Sequence, residues 1–129
     1  MAGIMAGRGT ALIAALYGLL AVVLAALGAH ALPVDSPEAQ KLWATAQQMH
    51  MFHTVALLAI AALAASRESV LIPRSGLLMA AGVFLFSGSL YLRAIGFEFL
   101  PGPLTPFGGV LLMLSWVMLF IIVFREIAP

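Results

Sequence analysis

Four long apolar segments, separated by short stretches rich in polar residues, proline and glycine, run along the chain. They cover about residues 10–32, 43–65, 75–97 and 104–124. Each is close to the ~20 residues that a helix needs to cross a bilayer, and none shows the alternation of a barrel strand. Backbone groups in lipid must be hydrogen-bonded inside the protein, so segments of this kind form helices. The pattern predicts an all-α fold, a four-helix transmembrane bundle that forms a single transmembrane domain over residues 1–129.

The first segment also resembles a secretory signal peptide, because an arginine precedes it and "AHA" at residues 29–31 has the form of a cleavage site. Its apolar run is roughly 20 residues long, whereas the core of a signal peptide has about 7–15 residues. We therefore interpret this segment as the first membrane helix.

Two of the breaks between segments carry signals for the start of a helix. In "LPVDSPEAQ", Ser36 is placed to cap the second helix, with Pro37 at its first position and Glu38 in the first turn. The second helix is therefore predicted to begin at Pro37, before its lipid-buried part. In "FLPGPLTPFGG", Thr105 and Pro106 repeat the order of cap and proline, which predicts that Thr105 caps the fourth helix.

Composition excludes a soluble domain and several classes of function. Hydrophobic residues make up 64% of the 129 residues and charged residues 9%, against about 45–50% and about 25% in soluble domains. A chain this short cannot bury so much apolar surface within itself, so lipid must cover the rest. The formal net charge of +1 gives no footprint for nucleic acid. Without cysteine, disulfides, thiolate metal sites and thiol nucleophiles are excluded.

The distribution of positive charge predicts the orientation. Four arginines lie on one side of the predicted membrane region: Arg8, Arg67, Arg74 and Arg125. Lys41 and Arg93 lie on the other side. By the positive-inside rule, the chain is a multi-pass protein of the plasma (inner) membrane with both termini in the cytoplasm.

Polar side chains concentrate in the half of the membrane region next to the first and third loops, which this orientation makes the outer half. They form a candidate polar cluster: His30, Gln47, His50, His53, Ser87, Ser89, Tyr91, Arg93 and Thr105. We interpret the inner half as composed of the apolar residues Ala, Leu, Val and Ile. On the second helix, His50 and His53 fall within one sector of about 120° together with Gln47, at about 100° per residue. Met49 points elsewhere, so the alternation of His and Met in "MHMFH" is not a shared ligand set.

The arrangement of motifs resembles a known membrane family. "LGAHAL" (27–32), "WATAQQMHMFHTVALL" (43–58), "FSGSLYL" (86–92) and "TPFGG" (105–109) look like the signatures of domain of unknown function 423 (DUF423), in the right order and spacing. The resemblance covers nearly the whole chain. It implies a bacterial inner-membrane protein with four spans, similar to the eukaryotic transmembrane protein 256 family, and it implies no particular activity. The matching positions are Gly28, His30, His53, Gly88, Ser89, Tyr91, Thr105, Pro106 and Gly109.

A haem or metal site is the first chemistry that three histidines suggest. His30 and His50 on neighbouring helices suit a bis-histidine haem or a copper ion. A closed metal site needs more ligands, however, and the four apolar segments contain no Asp or Glu. The interpretation that fits more of the sequence is that each imidazole is hydrogen-bonded to a neighbouring group. We predict no cofactor and no metal, with His30, His50 and His53 as the ligand candidates to test.

Other functions have weaker support. A small channel or transporter could use the polar cluster as a vestibule, but no polar residue continues this path through the inner half. Catalysis lacks a nucleophile motif and an intramembrane carboxylate. Close helix packing explains the glycines at Gly28, Gly82, Gly88 and Gly109. We therefore predict a non-enzymatic integral membrane protein with a structural, accessory or lipid-contacting role. Its predicted partners are membrane lipids, and a homo-oligomer or a larger membrane complex is left open.

Overall fold

The computed structural model describes residues 2–127, which form four consecutive helices joined by short loops. These are α1 (Ala2–His30), α2 (Pro37–Ser66), α3 (Leu71–Ala94) and α4 (Leu104–Ile122), followed by a π-helical turn (Val123–Ile127). No strand occurs within this range. All four helices are long and apolar enough to span a membrane. The prediction of an all-α, four-helix transmembrane fold is confirmed.

The helices pack as an antiparallel bundle with α2 and α3 at its centre. α1 packs on α2, α2 on α3 and α3 on α4, with a smaller contact between α1 and α3. Within the described range α1 and α4 do not pack on each other. In the most apolar stretch of α3, 56% of the residues are buried, against 11% in α1. We call the end with the α1–α2 and α3–α4 loops the two-loop end, and the opposite end the termini end.

The start of α2 follows its sequence signal, and the start of α4 does not. Ser36 is the N-cap of α2, its hydroxyl accepts the backbone N–H three residues on, and Pro37 is the first helical residue. That prediction is confirmed. α4 begins at Leu104 with Pro103 at the cap position and no side-chain cap hydrogen bond. The prediction that Thr105 caps this helix is wrong, because Thr105 already lies inside it.

α3 ends earlier than the apolar segment that predicts it. The predicted span reaches residue 97, whereas the helix ends at Ala94. Gly96 has a φ of 98°, a conformation that glycine adopts without the strain of a side chain. The N–H groups of Gly96 and Phe97 bond to carbonyls of the last turn, which closes the helix.

Small residues at every seventh position bring α1 close to α2. They are Gly7, Ala14, Ala21 and Gly28. The two alanines are almost fully buried. A Cβ at Gly7 would lie 2.9 Å from the carbonyl oxygen of Ala61, and one at Gly28 would overlap the indole of Trp43. Backbones therefore approach closely along the whole length of the pair, as small residues allow in membranes.

The outward faces of the bundle are apolar. Large side chains of α1, of α4 and of the π-helical turn are more than half exposed, among them Leu12, Leu19, Val22, Phe107, Phe120 and Phe124. Such faces would be unstable in water, so they fit a lipid environment. Polar side chains such as His50, His53 and Ser87 are buried inside the bundle instead.

Candidate functional site

Tyr91 of α3 lies at the centre of one hydrogen-bond network at the two-loop end. Gln47 of α2 donates one N–H to the Tyr91 hydroxyl, at 2.8 Å, and another to the carbonyl of Ala21 in α1, at 3.3 Å. The Tyr91 hydroxyl is 3.0 Å from Nδ1 of His50. Since this hydroxyl accepts from Gln47, its own proton is free to be donated to His50. The network thus links α1, α2 and α3.

His50 is buried, and its Nδ1 accepts from Tyr91. In the neutral ring Nε2 therefore carries the proton. The Tyr17 ring packs edge-on against His50, with 5.7 Å between ring centroids. The Tyr17 hydroxyl donates to the carbonyl of Ala80 in α3, at 2.7 Å. This geometry describes a neutral imidazole of defined tautomer.

His53 belongs to a second network, which joins α2 to α4. Its Nδ1–H donates to the carbonyl of Met49, at 2.7 Å, and its Nε2 accepts the indole N–H of Trp116, at 3.1 Å. Phe52 packs against both rings. Within the described range, no hydrogen bond joins this network to that of Tyr91. The sequence grouped the two histidines in one cluster, and the structure divides them between two helix interfaces.

The serines of α3 join their helix to both neighbours. Ser87 donates to the carbonyl of Ala46 in α2, at 2.9 Å. Ser89 faces α4 and donates to Phe86 of its own helix, so Thr105 is the donor in the hydroxyl contact between Thr105 and Ser89. Thr105 therefore bridges two helices, the role it takes in place of a cap.

The two remaining members of the predicted cluster lie apart from these networks. His30 is exposed at the last residue of α1. Arg93 is half-buried and donates to the carbonyl of Pro101 in the α3–α4 loop, at 3.1 Å. The structure thus brings Gln47, His50 and Tyr91 together and leaves His30 and Arg93 outside.

The half of the bundle nearer the termini contains buried polar residues that the sequence interpretation had not placed there. Ser115 of α4 donates to the carbonyl of Ser75 in α3, at 2.9 Å, and Ser75 donates to Ile72, at 2.7 Å. Thr10 of α1 is buried next to Gly76. The interpretation of this half as wholly apolar is wrong. Small hydroxyls are hard to recognise there because they bond to nearby backbone carbonyls and leave no periodic signature.

Tyr17 and Trp116 complete the networks and were missed by sequence reasoning. Each had a usable signal. Tyr17 carries the sole polar side-chain group between Thr10 and His30, and Trp116 has the sole N–H donor of a side chain in the fourth apolar segment. A polar group inside lipid needs a partner, so each of these rings was a candidate for an interhelical bond.

Among the glycines that were predicted to pack, two make close approaches. A Cβ at Gly28 would overlap Trp43, and one at Gly82 would lie 2.9 Å from Leu112 of α4. Gly88 is not such a contact, because a Cβ there would have no atom of another segment within 4 Å. At Gly109 the nearest atoms are at ordinary distances, and the close approach lies at its neighbour Gly108.

The geometry of the histidines restricts the metal chemistry available to them. Among residues 2–127, no group of three or more His, Cys, Asp or Glu side chains is placed to hold a metal ion. The lone pair of His50 already accepts from Tyr91, and that of His53 accepts from Trp116. A metal would have to displace one of these bonds.

Four apolar helices held together by interhelical hydrogen bonds define a small, four-span integral membrane protein. The chain belongs to the DUF423 family, described as "Protein of unknown function", which matches residues 24–109. This confirms the resemblance found in the sequence.

Three relatives illustrate the match. The chain is 38% identical over 112 residues to the UPF0382 membrane protein YwdK of Bacillus subtilis, covering 85% of this chain and 91% of the relative. It is 36% identical to the UPF0382 membrane protein SAB0533 of Staphylococcus aureus, with 88% and 93% covered. It is 34% identical to the UPF0382 inner membrane protein YgdD of Escherichia coli K12, with 91% and 90% covered. No solved structure matches the chain.

Proposed function

We propose that this protein is a non-enzymatic membrane protein with a structural or accessory role, in which the polar side chains hold the helices in one arrangement. The observation that carries the proposal is that the acceptor nitrogen of each buried histidine is already hydrogen-bonded within the protein, that of His50 to Tyr91 and that of His53 to Trp116. A catalytic base needs a free lone pair near a substrate, and a ligand needs one near a metal. Imidazoles whose acceptor nitrogen is already bonded within the protein support structure instead.

The same observation favours this role over a haem or copper site at His30 and His50. Binding at His50 Nδ1 would break its bond to Tyr91, and the exposed His30 is at the very end of α1. We expect the purified wild-type protein to show no Soret band and no stoichiometric metal. A visible absorption band that is lost in His50→Ala would contradict the proposal.

The structural role is tested by removing His53, with His30→Ala as the control of identical chemistry at an exposed site. His53→Ala removes the acceptor of Trp116 and leaves a void between α2 and α4. We expect a loss of about 1–3 kcal/mol in the free energy of unfolding in detergent. His30→Ala should stay within about 0.5 kcal/mol of the wild type. Equal stability of the two variants would refute the structural role.

A double-mutant cycle identifies the bond itself. Trp116→Phe keeps a ring in place and removes the N–H that His53 accepts. If the two residues act as a unit, the double variant His53→Ala with Trp116→Phe loses less stability than the sum of the single variants. Additive losses would mean that each residue contributes by packing alone.

We also propose that both termini lie in the cytoplasm. Four arginines support this orientation, since they flank the helices at the termini end: Arg8, Arg67, Arg74 and Arg125. Arg67 of the α2–α3 loop donates to the carbonyl of Glu126, which ties this loop to the end of the chain. A reporter enzyme that is active in the cytoplasm alone, fused after Pro129, should be active. Activity of a periplasmic reporter at this site would reverse the orientation.

An accessory role requires a partner as well as lipid. A partner could bind to the exposed apolar faces of α1 and α4. In the described chain these faces are not covered by another helix. A second copy of the chain or a larger membrane complex would both suit these faces. Native mass spectrometry of the full chain distinguishes the two, because a homo-oligomer appears as integral multiples of the chain mass.

A further inference from the structure

The two-loop end contains a cavity of about 760 Å³ that takes no part in the hydrogen-bond networks. One side is formed by the α1–α2 loop and the first turns of α2, from Pro33 to Leu42. The other side is formed by the end of α3 and the α3–α4 loop, from Arg93 to Gly102. Cavities of roughly 300–1,000 Å³ are the size that holds small ligands or headgroups.

Both signs of charge line this cavity. Arg93 is half-buried and uses one of its N–H groups on the carbonyl of Pro101. A guanidinium has five N–H donors, so four remain. The three carboxylates are Asp35, Glu38 and Glu98, all on exposed residues. A lining with one cation and three anions favours a ligand that carries an ammonium group together with an anionic oxygen.

The depth of the cavity places it beside lipid headgroups. Its walls are the last turn of α3 and the beginning of α2, where two membrane spans end. Phe97 and Phe99 of the α3–α4 loop are 54% and 97% exposed, so this loop presents apolar rings at the level of the cavity. Leu42, Ile95 and Leu100 add apolar wall next to the charged groups.

We propose that this cavity binds the headgroup of a zwitterionic aminophospholipid, with its phosphate on Arg93 and its ammonium on the carboxylates of Asp35, Glu38 and Glu98. The inference rests on the accessory role in the membrane that is proposed above and gives that role a specific ligand class. A primary ammonium donates hydrogen bonds to carboxylates, whereas the quaternary ammonium of phosphatidylcholine has no N–H to donate. Phosphatidylglycerol carries the phosphate without any cation, and the cavity's excess of negative charge disfavours it.

The experiment offers the full-length protein, in detergent, equal amounts of dioleoyl phosphatidylethanolamine, phosphatidylcholine and phosphatidylglycerol, and measures the retained lipids by native mass spectrometry. We expect phosphatidylethanolamine to be retained about tenfold over each of the others, which corresponds to one charge-assisted hydrogen bond. Arg93→Gln should reduce its retention about tenfold. The control Lys41→Gln removes an exposed positive charge of α2 that does not line the cavity. It should leave the retention of all three lipids unchanged.

A second variant keeps the test decisive if Arg93→Gln disturbs the loop through its bond to Pro101. Glu38→Gln with Glu98→Gln changes two exposed carboxylates, and retention should shift from phosphatidylethanolamine towards phosphatidylglycerol. Equal retention of the three lipids by the wild type would overturn the proposal. So would equally tight binding of free glycerophosphoethanolamine, because the ligand would then be a soluble zwitterion. The stability of His53→Ala is measured without lipid, so a failure of the structural role and a failure of lipid binding are distinguished by separate measurements.

Discussion

At the scale of single residues, the two buried histidines show how an imidazole is held neutral inside a bundle. His50 accepts at Nδ1 from Tyr91, whereas His53 donates at Nδ1 to Met49 and accepts at Nε2 from Trp116. The tautomer of each ring follows from these partners. An interhelical hydrogen bond in a membrane contributes about 0.6–2 kcal/mol, so a few such bonds make a large share of the stability.

Tyr91 provides the sharpest test of the first network. Tyr91→Phe removes one hydroxyl that bonds to both Gln47 and His50, and so takes a partner from a half-buried amide and from a buried imidazole. We expect the free energy of unfolding in detergent to fall by about 1–2 kcal/mol.

Tyr17→Phe is the matched control for Tyr91→Phe. The Tyr17 hydroxyl donates to one helical carbonyl, which retains its place in the helix when the hydroxyl is lost. We expect a loss of about 1 kcal/mol or less. A loss at Tyr17 equal to or greater than that at Tyr91 would contradict the central place of Tyr91.

Residue identities in the site were largely readable from the sequence, whereas their grouping was not. Polar side chains inside lipid had to be paired, which correctly drew attention to Gln47, His50, His53 and Tyr91. Three residues along a helix, however, rotate a side chain by about 300°, so His50 and His53 point about 60° apart. That angle is small on a helical projection and still large enough to reach different neighbouring helices.

At the scale of elements, the distance between helix backbones decides at which positions a small residue is required for packing. A Cβ at Gly108 of α4 would lie 2.5 Å from the backbone nitrogen of Phe86 and 3.0 Å from the carbonyl oxygen of Gly82, both in α3. Backbone atoms cannot rotate away as a side chain does. The α3–α4 crossing therefore depends on the absence of a side chain at this position.

Gly108→Ala is expected to separate α3 from α4 and to cost about 1–3 kcal/mol in the free energy of unfolding. Gly88→Ala is the control, since a Cβ there meets open space. In a helix this second change is expected to be neutral or to stabilise by up to about 1 kcal/mol. Thermal melting of both variants in the same detergent tests the pair, and equal losses would show that the contact at Gly108 is not decisive.

Of the two helix caps predicted from the sequence, the one at Ser36 forms and the one at Thr105 does not. Ser36 caps α2 because its partner lies three residues away in the same segment, so the interaction is local. Thr105 was expected to do the same for α4 and instead bonds to Ser89 of α3. The Thr105 hydroxyl can bond either to a nearby backbone N–H as a cap or to a distant partner. The packing of the helices decides which of the two bonds forms, and a local sequence pattern carries no information about that packing.

At the scale of the whole molecule, α2 and α3 form the centre, and α1 and α4 lie on its flanks. α1 is fixed by its small residues against α2 and by the Tyr17 hydroxyl on α3. α4 is fixed by packing on α3 and by Trp116 reaching His53. The flanking helices therefore contribute most of the lipid-facing surface.

Because the chain has no cysteine, an engineered disulfide tests this arrangement directly. The Cβ of a residue at position 7 would lie 2.9 Å from that of Ala65. The two helices therefore have to separate by about 1 Å to reach the Cβ separation of about 3.5–4.5 Å in a disulfide. We expect Gly7→Cys with Ala65→Cys to form an intrachain bond on mild oxidation, measured as protection from maleimide labelling.

Gly9→Cys with Ala65→Cys is the control pair, since a Cβ at Gly9 meets no atom of another segment within 4 Å. It should stay reactive towards maleimide under the same oxidation. Cross-linking of the control and not of the test pair would place a different face of α1 on α2.

The sequence by itself determined the number and approximate limits of the membrane helices, the cap of α2 and the identity of most buried polar residues. These follow from length, hydropathy and contacts between residues close in the chain. Tertiary structure alone decided that His50 pairs with Tyr91, that His53 pairs with Trp116, and that Gly108 rather than Gly88 is a point of close approach. The physical reason is that these choices depend on how each helix is rotated about its axis, and that rotation is set by packing of all four helices together.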